Sequence, residues 1–282
     1  MIRRMAYVLL LVLSTSTCSL QAYSVKAKIL SFLGHWAVAA GPSWLESYNC
    51  GILLSTEYAL AVFGNDDVSP EIENSIRYFL KQVNYADWDT LPLKMIKADM
   101  QPFIYSPLAC TDSVLFVNPN FYDELDEGEK KAVVAHAVTM IEQQHLLTST
   151  CVMATLPLVT EVLLRAYRHC MGHAYTRLPD PLKSTTIVQN SGAVHNYITS
   201  SSVLKLVLNH IAGDSYHKYA AKQYDLNSAN RANTAKDLLN YYIKRSQKIP
   251  YKSWLSKRNE PTLHQRMKYL MPLIKRDFPA EE

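Results

Sequence analysis

The chain has no run of like charges, no internal repeat and no low-complexity segment. Its 29 basic and 25 acidic side chains are spread over 282 residues, for a formal charge of +4. That balance argues against a dedicated nucleic-acid surface or a polybasic membrane patch, and no nucleic-acid partner is expected. No acidic residue precedes Glu46. The acid-free N-terminus reads Arg3, Arg4, a continuous apolar stretch over residues 5–13 and a polar run to Ala22, the pattern of a secretory signal peptide. The stretch is too short to cross a hydrocarbon layer of ~30 Å as a helix. It is also continuously apolar, whereas a mitochondrial presequence is amphipathic. Residues 15–17 make a poor lipobox ahead of Cys18. The expected location is therefore periplasmic or extracellular, with residues 1–22 removed. Loss of Cys18 leaves Cys50, Cys110, Cys151 and Cys170, an even number that permits two disulfides or four buried thiols; spacing does not choose among the pairings.

A hydrophobic fraction of 48% can build a sizeable core. Residues 23–69 carry no clear period and form a lead-in segment. After Ser69, a natural N-cap, apolar residues recur at helical spacing through Leu80. Residues 91–96, 103–105 and 113–117 are short β-rich runs bounded by Pro, Asp and Asn, and predict a small sheet. A short helix over 121–125 follows. Asp126 and Glu129 then place acid at the start of a long helix through His136 and Ile141. Residues 146–164 form a second apolar stretch that lacks the ~20 uninterrupted residues of a membrane span, since it holds Pro157 and Glu161. It reads as a buried core helix, and membrane association is not favoured. Residues 176–200 read as a loop, and helices resume over 202–211, 216–227, 232–244 and 262–274. The expected class is α+β, mainly helical, with a small sheet beside the His136 helix.

The segment Ala135-His136-Ala137-Val138-Thr139-Met140 has the frame of a zincin helix without its chemistry. In such a helix two histidines four apart bind Zn²⁺ and the Glu after the first activates the bound water. Here Ala137 stands at the general-base position and Met140 at that of the second ligand. Its surroundings extend the match. Residues 115–119, the short helix, Glu129-Lys130-Lys131-Ala132-Val133-Val134-Ala135-His136 and the trailing His145 together resemble the M48-type zinc metallopeptidases, the HtpX-like group. Their run is an edge strand, a short helix and E-x-x-A-V-x-A-H-E-x-x-H-x-x-x-x-H. Downstream, Gln223-Tyr224-Asp225-Leu226-Asn227 resembles that family's E-x-x-A-D segment, with Gln223 at the third zinc ligand and Asn227 at the supporting Asp. Asn259-Glu260-Pro261-Thr262-Leu263-His264-Gln265-Arg266 resembles its S-H-P-T-L-P-E-R, with Glu260 in place of His and Arg266 kept.

The resemblance implies a zincin-like peptidase domain over 70–275 with a tail over 276–282. It also implies that His136, Met140 and Gln223 meet at a former metal site supported by Asn227, His145, Glu260 and Arg266. An amide and a thioether are weak partners for Zn²⁺, so no cofactor is expected. The implied function is a non-catalytic peptidase homologue that binds a polypeptide or protein partner in its cleft, along the strand bearing Val114 and Phe116. The rival reading is an active zinc metalloendopeptidase with altered ligands, either His136 with His145 or the i, i+4 pair His169/His173 joined by Cys170 or Asp180. Against the first pair, nine positions along a continuous helix put the two rings on nearly opposite faces. Against the second, Gly172 reads as a helix stop, which places His169 and His173 at a C-terminus whose dipole favours them.

Overall fold

The structure is a computed structural model that describes residues 25–101, 104, 106–183, 189, 201–248 and 260–277. The expected signal peptide and Phe103 and Tyr105 of one expected strand lie outside the described residues, as do most of 184–200 and the last five of the tail. In chain order the elements are α1 (Val25–Ile52), α2 (Thr56–Phe63), α3 (Pro70–Gln82), β1 (Leu93–Met95), β2 (Leu108–Cys110), β3 (Leu115–Val117), α4 (Pro119–Tyr122), α5 (Glu127–Glu142), α6 (His145–Thr176), α7 (Asp180–Lys183), α8 (Ser202–Ala232), α9 (Ala235–Lys248) and α10 (Leu263–Asp277). The chain is mainly helical with one small mixed sheet. It divides into two compact units, Met1–Tyr48 with Cys151–Gly213 (unit 1) and Asn49–Thr150 with Asp214–Glu282 (unit 2).

Unit 2 holds the sheet, in the order β1-β3-β2, with β1 parallel and β2 antiparallel to β3. Period-two alternation sends Leu115 and Val117 into the main core, while Val114 and Phe116 join Ala59 and Ile96 in a second cluster, where the Phe63 and Phe116 ring centroids lie 5.1 Å apart. Central placement corrects the expected edge strand. β3 is paired on both sides and Val114 and Phe116 are 0% exposed, so no substrate can add there. Behind the sheet, Gly64 adopts φ +146°, and a Cβ on it would lie 2.2 Å from the Met95 carbonyl oxygen, so only glycine fits this close approach.

The starts of two helices follow the local chemistry read from the sequence. Ser69 accepts from the Ile72 N–H at the start of α3. At α5, Asp126 and Glu129 form a reciprocal capping box. Between α5 and α6 the helix is broken: Gln143 caps α5, Gln144 takes φ +48°, and α6 begins at His145. The new helix is capped from a distance, since Asp112 in the β2–β3 turn accepts from the Leu146 and Leu147 N–H groups at 3.0 Å each.

Several helices depart from expectation. α1 and α2 occupy much of the lead-in, and residues 202–227 form one continuous helix, because Gly213 is tolerated in mid-helix and gives room to the Met153 side chain. The apolar stretch after His145 is not a buried core helix. Only 33% of its most apolar window is buried, and Leu158, Val159, Val162 and Leu163 face outward. Gly172 does not stop α6, which runs on to Thr176. Side chains within unit 1 tie its helices together: Trp44 Nε1 donates to the Ala154 carbonyl at 3.2 Å, Asn209 Nδ2 to the Ala39 carbonyl at 2.8 Å, and Lys205 Nζ meets Glu161 Oε2 at 2.6 Å.

Candidate functional site

The His136 helix packs against β2, and α9 packs against both α5 and α10. This arrangement brings His136 to an acidic partner that is neither Met140 nor Gln223. His136 Nε2 lies 3.1 Å from Asp225 Oδ1, and the carboxylate is 0% exposed. Tyr242 of α9 donates its hydroxyl to Oδ1 at 2.6 Å, and Tyr269 of α10 donates to Oδ2 in a short contact. The Arg266 guanidinium lies 3.8 Å from Oδ2 and stacks 3.4 Å from the centroid of the Tyr242 ring. Glu260 completes the far side, 3.4 Å from Arg245 and 3.7 Å from Arg266.

Burial alone would raise the Asp225 carboxyl, but Arg266, His136 and Tyr242 outweigh it and hold the group below its ordinary value. Burial likewise raises the Tyr242 and Tyr269 phenols, and the neighbouring carboxylate adds to it, so both stay protonated as donors. For Arg266, burial works against the charge, but the Tyr242, Asp225, Tyr269 and Glu260 oxygens more than restore it. The result is a closed ionic cluster holding α5, α8, α9 and α10 through one carboxylate.

The expected site residues divide accordingly. His136, Glu260 and Arg266 come together around Asp225. Ala137 is buried, and Met140 and Gln223 are half-buried. Two residues along an α-helix is a turn of about 200°, so Gln223 and Asn227 both leave the helix face that carries Asp225, and Asn227 is exposed. His145 sits on the other side of the helix break, its Nδ1 3.0 Å from the Tyr224 hydroxyl. Burial and the nearby His217 and His136 rings, only partly offset by Asp112, push its pKa down to about 4. The break at Gln144 is absent from the sequence reading. Glu142 offers no stand-in for the missing base, because Arg231 clamps both its oxygens at 2.5 and 2.8 Å.

The expected zinc ligands do not assemble: His136 Nε2 faces the Asp225 carboxylate at 3.1 Å, and Ala137, Met140 and Gln223 add neither base nor anionic donor. Among the described residues no group of three or more His, Cys, Asp or Glu could hold a metal ion. His169 and His173 do meet, Nε2 to Nε2 at 3.0 Å on the exposed end of α6, but neither Cys170 nor Asp180 joins them as a third ligand. Asp180 instead pairs with Lys183 at 3.1 Å. Cys110, Cys151 and Cys170 are free thiols, and burial and Asp112 push the Cys110 thiol up to about 12. Compared with protein-family models, with curated proteins and with solved structures, the chain gives no match.

Sequence reasoning missed Asp225, Tyr242 and Tyr269. One signal was present. Tyr224, Asp225, Ser228 and Ala229 mark the buried stripe of α8 at helical spacing, and an acid on a buried stripe needs a partner.

Proposed function

We propose that this chain is an exported, non-catalytic relative of the M48 metallopeptidases that binds an extended polypeptide along the outer edge of β2. The zincin-like reading gains support from a two-residue shift of the downstream match. With Asp225 at the Asp of E-x-x-A-D and Ala221 at its Glu, the kept acid faces the kept Arg266, and an alanine stands where the third ligand would be. Every metal-binding position except His136 is then apolar, and His136 is held by Asp225. A fold that loses a cation must otherwise leave carboxylates uncompensated, and here the remaining charges pair with one another.

The observation that carries the binding role is the hydrogen-bonding direction of β2. Thr111 N bonds Val114 O and Asn118 N bonds Pro107 O, so the odd-numbered residues face β3 and the N–H groups of Leu108 and Cys110 face outward. Ser106 Oγ covers the Leu108 carbonyl, while among the described residues the two N–H groups and the Cys110 carbonyl have no partner. Ala109 and Cys110 are half-buried rather than covered. An added strand would run beside α5, taking main-chain bonds from these groups.

The test is a panel of labelled extended peptides read by fluorescence anisotropy. Cys110→Pro removes one outward N–H without touching the ladder to β3, and should weaken binding several-fold; His136→Ala should leave binding in place. Peptides that bind wild type and Cys110→Pro alike would end the β2 proposal. Chelator-sensitive cleavage of the same peptides would restore the metalloendopeptidase reading instead.

A further inference from the structure

We propose that the outward apolar face of unit 1 inserts into an anionic lipid bilayer. α6 is long and apolar enough, by length and composition, to cross a membrane. A core helix of that composition would be covered. Here Leu158, Val159, Val162 and Leu163 form one outward stripe, with Val162 at 64% and Leu163 at 63% exposure. α8 repeats the pattern in the same unit, where Val203, Val207 and Ile211 recur every four residues and are all exposed. Two exposed stripes of branched aliphatic residues in water are costly, and such patches mark a surface that meets an apolar phase.

The charges decide for lipid over a second protein. Glu161, the acid that interrupts the α6 stretch, does not lie bare on the stripe: Lys205 holds it at 2.6 Å and Arg165 at 2.7 Å, and the Lys205 and Glu161 side chains are 14% and 12% exposed. Beyond the stretch come Arg165, Tyr167, Arg168, Tyr175 and Arg177, the mixture of cations and amphipathic aromatics that anchors a helix at the headgroup level. Over its described residues unit 1 carries seven Lys and Arg against three Asp and Glu, a balance that favours anionic headgroups. The proposal is independent of the β2 edge, which belongs to unit 2.

Flotation of the purified full chain on vesicles of phosphatidylcholine with phosphatidylglycerol, and on phosphatidylcholine alone, tests it. The chain should float with the anionic vesicles and less with the neutral ones. Val162→Asp and Val207→Asp, at exposed positions, should each cut the floated fraction at least about tenfold with an unchanged circular dichroism spectrum. Wild type left at the bottom of the gradient, or variants that float as wild type does, would overturn the proposal. So would a dimer in analytical ultracentrifugation that both variants dissolve, if wild type does not float, because the stripe would then be covered by a second copy.

Discussion

Unit 2 hides charge, while unit 1 displays apolar surface. Around Asp225 a buried carboxylate is met by two phenols, an imidazole and a guanidinium. In unit 1 the equivalent ionic knot, Glu161 with Lys205 and Arg165, stands beside valine and leucine side chains that are exposed among the described residues. The first arrangement is balanced in charge, because the buried Asp225 and Arg266 each have an opposite charge within 4 Å. The second is complete only next to something apolar. The contrast teaches that the acid in the α6 stretch is no argument against an apolar environment, since a charge already neutralised by its neighbours costs far less there than a bare one.

The comparison breaks first at Asp225. Asp225→Asn removes the buried charge shared by His136, Tyr242, Tyr269 and Arg266, leaving Arg266 with the part-exposed Glu260 alone, and should destabilise unit 2 by about 3–5 kcal/mol in urea titrations; a loss under about 1 kcal/mol would show the cluster to be incidental. A pH titration sharpens the same contrast. His145 is held neutral with a folded pKa of about 4 against 6.5 unfolded, so the unfolded chain takes up its proton first. Stability should be flat above pH 6.5, fall by up to about 3 kcal/mol between pH 6.5 and 4, and flatten there in His145→Gln. Asp225 acts in a lower window: its depressed pKa supplies stability above its unfolded value of 3.8 that is lost as pH falls through the folded value. Gly64→Ala, which sets a Cβ against the Met95 carbonyl, should cost about 1–3 kcal/mol. At the small end, Leu163→Asp on the unit 1 stripe should change the stability of the chain in water by no more than about 0.5 kcal/mol. A large loss there would mean the stripe is covered within the chain.

What the sequence disclosed was local. The Ser69 cap, the Asp126 box and the β-rich runs at 91–96 and 113–117 are short-range chemistry, and the structure bears them out. Strand order is not local: the resemblance implies an edge strand at Val114 and Phe116, whereas β2 pairs outside them. The helix break at Gln144 needed a left-handed backbone at a residue that gives no sign of it. At the site, His136, Glu260 and Arg266 were legible as a set, but the register of α8 was not. Moving a helical match by two residues exchanges Gln223 for Asp225, and only the facing helices reveal which side carries the buried stripe. The apolar run of α6 was legible in composition and misread in burial, since a sequence shows which residues avoid water but not which phase receives them.

The central claim is that Asp225 takes the place a metal ion would need at His136. Isothermal titration of the purified, metal-free full chain with Zn²⁺, beside Asp225→Asn and His136→Ala, tests it most directly. No stoichiometric zinc binding that depends on His136 is predicted for wild type. Tight one-to-one zinc binding that His136→Ala abolishes would contradict the account.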